Sequence, residues 1–275
     1  MTDMRAPGEL PLLHLPNDLS QFTSRILEWH DLDMVLTFRQ QIFAVLPREF
    51  RMADPECDDL VKTELDWANT HLRHPAVTLG IFNNTQMIAF ASLLLPDTGA
   101  GGDISRLMGM SNTEIDRSAH MAACMVAEDF RGLRMQSRLL AWRRAVAVQA
   151  GRSLLVSMTA CGNMPSLRNM IDAGMSIRWV GEFRPKRWWQ VVAKDLQPGA
   201  ENMHLAHHVW VKADDYPRQA ALTAEGFEGL AEISRPGRDG KLCAHFEFAQ
   251  RVMRVPTASN TSSGYGLVDN LGEVR

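Results

Sequence analysis

Residues 120–175, HMAACMVAEDFRGLRMQSRLLAWRRAVAVQAGRSLLVSMTACGNMPSLRNMIDAGM, constrain this chain more than any other stretch. They spell an apolar strand (His120–Val126), a turn holding Arg131-Gly132, and a helix running from Gly132 or Leu133 to Ala150. A second apolar strand (Ser153–Thr159) and a helix over Pro165–Ala173, closed by Gly174, complete the stretch. A strand that enters a glycine turn and then a helix start is a device for holding an anion. The N–H groups of the first helical turn lack intrahelical acceptors, and the helix dipole favours negative charge there. The stretch therefore points to a phosphate-bearing ligand.

The rest of the composition narrows the class. A formal net charge of −3 argues against a nucleic-acid binder held by bulk electrostatics. No window approaches the ~18 apolar residues of a membrane span. The start, MTDMRAPGELPLLHLPNDLS, lacks the basic and apolar blocks of a signal peptide. Cys57, Cys124, Cys161 and Cys243 form no C-x-x-C pair, which suits reduced thiols better than a disulfide framework or a metal site. The expectation is a soluble cytoplasmic protein without a metal, a nucleic-acid partner or a membrane partner.

Residues 1–20 carry prolines at 7, 11 and 16 and read as a tail or cap, ahead of a main unit over 21–197. Residues 31–46 place Met34, Val35, Phe38, Ile42, Phe43 and Leu46 at helical spacing, and Asp58–Leu72 repeats the pattern through Leu60, Val61, Leu65, Trp67 and Ala68. Residues 76–96 read as two strands around Asn83-Asn84-Thr85, and 97–113, rich in Gly, Asp and Ser, as a loop. After the 120–175 stretch come two strands around Arg184-Pro185-Lys186. The order α-α-β-β-β-α-β-α-β-β predicts an α/β fold: a mixed central sheet flanked by helices. Pro198-Gly199 marks a boundary. Residues 198–255 read as a small α+β extension, strand-helix-hairpin, and 256–275 as a disordered tail. The extension repeats the element order of 153–195, with Glu225-Gly226-Phe227 in the place of Ala173-Gly174-Met175, a hint of partial duplication.

This order and its motifs resemble the GNAT superfamily of acetyl-CoA-dependent N-acetyltransferases, over roughly residues 22–196 and most strongly over 118–175. In that family the fourth strand ends in a bulge, and an R/Q-x-x-G-x-G/A segment wraps the cofactor pyrophosphate with backbone N–H groups. The matching residues here are Arg131, Gly132, Leu133, Arg134, Met135 and Gln136. Arg134 stands where the family prefers its middle glycine, and Gln136 where it prefers glycine or alanine. A side chain of Gln136 pointing outward leaves its N–H facing the ligand. For Arg134, a positive φ costs about 1 kcal/mol, whereas a helical φ places a guanidinium toward the phosphates. The resemblance further implies that main-chain groups of Met125, Val126 and Ala127 pair with the pantetheine arm, and that Asn163 and Ser166 approach the same arm and the diphosphate. Asn163 and Ser166 also fit a plain helix cap.

What the resemblance implies for function is transfer of an acyl group from acetyl-CoA to a small-molecule amine by direct attack on the thioester. Many relatives carry a tyrosine acid at the place of Met170, and the only tyrosines, Tyr216 and Tyr265, lie outside the main unit. His120 is the candidate catalytic base, against the reading of a strand-end histidine bonded to a carbonyl. Glu49, Glu64, Glu128 and Asp129 are other bases, the last two expected to face solvent. Cys161 reads as an inert thiol rather than an acyl carrier, and His204, His207 and His208, which lack a carboxylate or cysteine at ligand spacing, as surface residues. At most one of Trp188 and Trp189 can face a given pocket. The alternatives are a non-catalytic CoA-binding or partner-binding module, and a longer acyl donor served by Met108, Met110, Met121, Met125 and Met135. A homodimer is a further expectation, with the extension completing it or covering the acceptor cleft.

Overall fold

The computed structural model describes residues 10, 11, 13, 15, 19–51, 63–96, 103–184, 187–197, 203–236 and 242–253. In chain order the elements are β1 (Phe22–Leu27), α1 (Leu32–Val45), α2 (Glu64–Leu72), β2 (Ala76–Asn83), β3 (Gln86–Leu94), α3 (Asp103–Leu107), α4 (Asn112–Asp116), β4 (Ser118–Val126), α5 (Met135–Gln149), β5 (Leu154–Ala160), α6 (Met164–Asp172), β6 (Ser176–Arg184), β7 (Arg187–Asp195), β8 (Met203–Lys212), α7 (Tyr216–Ala224), β9 (Phe227–Pro236) and β10 (Leu242–Met253). The strands form one mixed sheet, ordered β1-β2-β3-β4-β5-β7-β6-β9-β10-β8. Among the described residues, only β4 and β5 pair in parallel. The expected mixed sheet flanked by helices is present, and the extension continues it rather than standing apart. No helix among the described residues is long and apolar enough to cross a membrane.

Each face of the sheet carries its own core. Met135, Leu139, Trp142 and Val146 of α5, with Leu167 and Met170 of α6, pack on Ala119 and Met121 of β4 and on Phe246 and Phe248 of β10. On the other face, Val35, Phe38 and Ile42 of α1 and Trp67 and Leu72 of α2 close over Phe82 and Phe90.

Several elements differ from the sequence reading. β1 is absent from that reading, because FTSRIL interleaves polar residues and is only half buried. The segment read as a loop contains α3 and the start of α4. Ser111 and Glu114 close a capping box on α4, each side chain bonded to the other's backbone N–H. α5 begins at Met135 rather than at 132 or 133, because Gly132 (φ 84°) and Arg134 (φ 56°) both take left-handed backbone. The expected hairpin turns on Asn84, also left-handed at φ 53°. Pro198-Gly199, residues 58–62, Cys57 and the tail from Pro256 lie outside the described residues.

The duplication hint gains substance in the strand registers. Ser157–Ala160 of β5 pair with Val192–Trp189 of β7 as Val209–Lys212 of β8 pair with Phe248–His245 of β10. Likewise Ile177↔Val192, Trp179↔Val191 and Val180↔Gln190 correspond to Gly229↔Phe248, Ala231↔Glu247 and Glu232↔Phe246. Both ladders skip one residue at the same place, Arg178 in β6 and Leu230 in β9. Asn163 and Asp215 cap α6 and α7 through the N–H three residues on, each with a proline in the first turn.

The two units meet where β6 and β9 run antiparallel at Ile177↔Gly229, a residue against its own counterpart. That is the arrangement of a local twofold axis. Counterparts face each other with complementary chemistry: Ser176 Oγ donates to Glu228 at 2.5 Å, and Asp195 pairs with Arg251 at 2.6 Å. Ile177 is matched by a glycine for steric reasons, since a Cβ on Gly229 would lie 2.9 Å from Ile177 Cδ1 and 3.0 Å from its Cβ. Gly229→Ala should therefore destabilise the protein by about 1–3 kcal/mol through overpacking. An unobstructed glycine-to-alanine change would instead stabilise by ~0.4–1 kcal/mol. Denaturant unfolding distinguishes the two signs, and a stabilised variant would refute the counterpart contact.

Candidate functional site

Parallel pairing of β4 with β5 runs from Ser118↔Leu154 to Met121↔Ser157 and stops there. Both strands continue, β4 to Val126 and β5 to Ala160, so they diverge. On its other edge β4 stays on β3 as far as Ala89↔Val126, with an extra residue accommodated at Ala122-Ala123. A cleft of about 780 Å³ passes through the opening. Ten of the residues proposed from sequence line it: His120, Met125, Val126, Arg131, Gly132, Arg134, Met135, Gln136, Asn163 and Ser166.

Ala127 and Leu133 do not line it. The Ala127 N–H is already donated to Ile88 O at 2.9 Å, and Leu133 is exposed.

At one end of the cleft the chain presents a row of unengaged donors. Arg131 N–H bonds Glu128 O at 3.1 Å, and Arg138 N–H is the next to find a backbone acceptor, Arg134 O. Among the described residues, the N–H groups of 132–137 in between meet no backbone carbonyl. The left-handed Gly132 and Arg134 turn this row toward the start of α5, a concave nest for an oxyanion. Gln136 does not point outward, as the sequence reading has it. Its amide donates to Ser166 Oγ at 3.1 Å and its carbonyl accepts from Asn169 at 2.8 Å, tying α5 to α6. Asn163 Oδ1 caps the Ser166 N–H, so the capping reading of Asn163 describes its oxygen.

The deep end is built from both faces of the sheet. His120 on β4 and His71 on α2 are buried, and burial pushes each imidazole down to about 4. His71 Nδ1 lies 2.7 Å from Trp67 O, and its ring stacks on Trp67 at 4.3 Å. His120 has no hydrogen-bond partner among the described residues, so the carbonyl-bonded reading of it does not hold. Arg143 enters from α5, 3% exposed, its Nε bonded to Leu139 O of its own helix at 3.3 Å. Cys124, Ser157, Thr159, Met170 and Trp189 also line the cleft, and the indole N–H of Trp189 is buried without an acceptor among the described residues.

Other candidates fall away from the cleft. The Glu64 carboxylate is engaged by the fully buried Arg39, which also lies over the rings of Phe43 and Trp67. Glu49, Glu128 and Asp129 are exposed. Burial pushes the Cys161 thiol up to about 12, which disfavours a thiolate acyl carrier. Met108 and Met110 line a separate cavity of about 400 Å³ beside Arg178 and Glu228. His208 is exposed, as expected, and its ring lies 2.7 Å from the Glu247 carboxylate. Tyr216 is closer to the main unit than expected: a Cβ on Gly162 would sit 3.6 Å from its hydroxyl. No metal-binding group of His, Cys, Asp and Glu is found among the described residues.

Sequence reasoning misses His71 and Arg143. Arg143 falls on the stripe of Met135, Leu139, Val146 and Ala147 that α5 buries. A charge on an apolar stripe is the signal that could have found it.

No family model matches the chain, and no curated protein matches it. Solved structures do. A GCN5-related N-acetyltransferase from Kribbella flavida is 15% identical over 64% of this chain and 99% of that one, at a TM-score of 0.49. The ribosomal-protein-S18-alanine N-acetyltransferase of Escherichia coli is 14% identical over 66% and 99%, at 0.48. Arabidopsis thaliana NAA60 in complex with acetyl-CoA is 12% identical over 64% and 98%, at 0.48. The chain is similar to GNAT N-acetyltransferases.

The left-handed Arg134 gives a direct test of the nest. Arg134→Gly should stabilise the fold by about 0.5–1 kcal/mol in thermal unfolding, because glycine adopts that φ without the Cβ clash. An unchanged or lowered stability would contradict the strained backbone assigned to this residue.

Proposed function

We propose that this chain is an acyl-CoA-dependent N-acyltransferase, with acetyl-CoA as donor and a small-molecule amine as acceptor. The observation that carries the reading is the conjunction of diverging β4 and β5 with unengaged N–H groups at the left-handed start of α5. The fit to CoA is chemical. A pyrophosphate matches the N–H row of 132–137 flanked by Arg131 and Arg134, while a thin neutral amide chain matches the slot beside Met125 and Val126. Acetyl-CoA supplies the acyl thioester when bound.

The chain's residues then have separable tasks. The nest holds phosphate and fixes register. The unpaired main-chain edge of β4 past Met121 orients the arm and offers an N–H to a carbonyl oxygen on which charge develops. Trp67, Phe43, Ile42 and Trp189 exclude water around the acceptor nitrogen. His120 accepts the proton of that nitrogen. Its low affinity for protons keeps it neutral at pH 7 and so competent, though a weak base. The cleft also depresses the pKa of an entering amine, since Arg131, Arg134 and Arg143 line it and no carboxylate does among the described residues. The amine nitrogen is thereby uncharged for attack. Met170 stands where an acid would serve the departing sulfur, which favours the second reading, a CoA-binding module without turnover.

Calorimetry with CoA and a thiol-release assay across an amine panel separate these readings. Turnover is expected, with CoA binding unaffected and kcat lowered about 100-fold in His120→Gln. The sign of the pH effect follows from the depressed histidine: the base is free above its pKa and lost as pH falls through about 4. Hence kcat should change little between pH 7.5 and 5.5, whereas a base at the ordinary ~6.5 would retain roughly a tenth at the lower pH. CoA binding without thiol release would select the module; no CoA binding would end both readings.

A further inference from the structure

Arg143 is a buried cation in the cleft that CoA binding leaves without a counter-ion among the described residues. It is 3% exposed, and burial disfavours its charge. Its single hydrogen bond among the described residues spends Nε on the Leu139 carbonyl, leaving both Nη groups to the cavity it lines. No carboxylate pairs with it among those residues. Arg39, Arg178 and Arg251 are by contrast compensated: Arg39 by Glu64, Arg178 by Asp195 and Glu228, Arg251 by the same two acids. A buried guanidinium without a counter-ion is costly, and replacing such a charge by an apolar group commonly stabilises a protein. Its retention asks for a ligand anion.

The phosphates of CoA do not supply that anion. Arg143 lies about 12 Å along α5 from the nest at Met135, at the rise of an α-helix. It sits beside Cys124 and close enough to His120 for its charge to depress that imidazole further. Every anionic group of CoA is at the nucleotide end, and the arm that reaches this depth is neutral. Cys124 lies close to Arg143, and Ser157, whose hydroxyl is donated to Met121 O at 3.0 Å, and Thr159 line the same cleft. Among the described residues no Asp or Glu lines any part of the cleft, so a dication or polyamine finds no partner in it.

Resting on the acyltransferase reading, we propose that Arg143 binds a substrate carboxylate at the base of the cleft, as a bidentate pair across its two Nη groups. The carboxylate has two sources, the far end of a dicarboxylic acyl group on CoA or an acidic group on the acceptor. Both place the same charge in the same apolar slot.

The test is calorimetry on the full chain and on Arg143→Met. One arm compares succinyl-CoA with acetyl-CoA. The other, with CoA present, compares an N-acetyl amino acid with its C-terminal amide. The carboxylate member of at least one arm is expected to bind about 10- to 100-fold more tightly, the range of a charge-assisted contact. Arg143→Met should abolish that preference while leaving the affinity for CoA itself unchanged, and should raise the melting temperature. Arg143→Lys, which keeps the charge but not the fork, should keep part of the preference and serves if the Met variant fails to fold. Equal affinities in both arms for the unaltered protein overturn the proposal, as does a preference that survives undiminished in both variants. A uniform loss of turnover with every substrate, without discrimination in binding, overturns it in favour of an action on the departing sulfur. Failure of CoA to bind at all overturns the acyltransferase reading instead, and the role of Arg143 with it.

Discussion

The divergence of two parallel strands organises everything else in this molecule. β4 and β5 share a ladder over four residues each, and beyond Met121 and Ser157 their facing edges have no partner in the sheet. Unpaired edges inside a sheet ordinarily forgo several hydrogen bonds. Here β3 holds β4, and β7 holds β5, so that the opening persists without collapse. The gap connects the α5 face to the α1 and α2 face, which lets a group from one helix layer and a histidine from the other address the same space. The nest at the start of α5 lies at one end of the gap because β4 runs straight into it through a single helical turn at Glu128–Phe130.

Charge is distributed around this gap with a clear asymmetry. Away from the cleft, Arg39 pairs with Glu64, and Arg178 and Arg251 pair with acids in the four-residue cluster at the β6–β9 junction. Inside the cleft, arginines stand without acids lining it among the described residues. Two of the three, Arg131 and Arg134, are exposed and flank the N–H row at the start of α5. The third, Arg143, is deep. That asymmetry is what the proposals of a CoA pyrophosphate at the nest and of a substrate carboxylate at Arg143 rest on.

Much of the fold is legible in the sequence because its determinants are local. Apolar runs, the Asn84 turn and Gly174 after α6 announce themselves by period and by residue type. β1 is hidden because it draws its order from pairing with β2 and not from its own composition. The nest is legible as a motif, but which of its donors stay free is not, since Glu128 O and Ile88 O remove the N–H groups of Arg131 and Ala127 through contacts sequence spacing does not encode. Arg143, His71 and Trp189 converge from three distant elements, and only tertiary packing brings them together. The repeat shows the opposite case: its caps and glycines are visible, while its twofold contact, Ile177 on Gly229, needs the register of both ladders.

Whether CoA threads the opening between β4 and β5 is tested most directly by a crystal structure of the complex with CoA. Threading requires the pyrophosphate oxygens at hydrogen-bond distance, about 3 Å, from the N–H groups of 132–137. It also requires the arm to lie between the two strands, with the sulfur near His120 and Arg143. A pyrophosphate bound elsewhere, or an arm that stays outside the divergent strands, would contradict it.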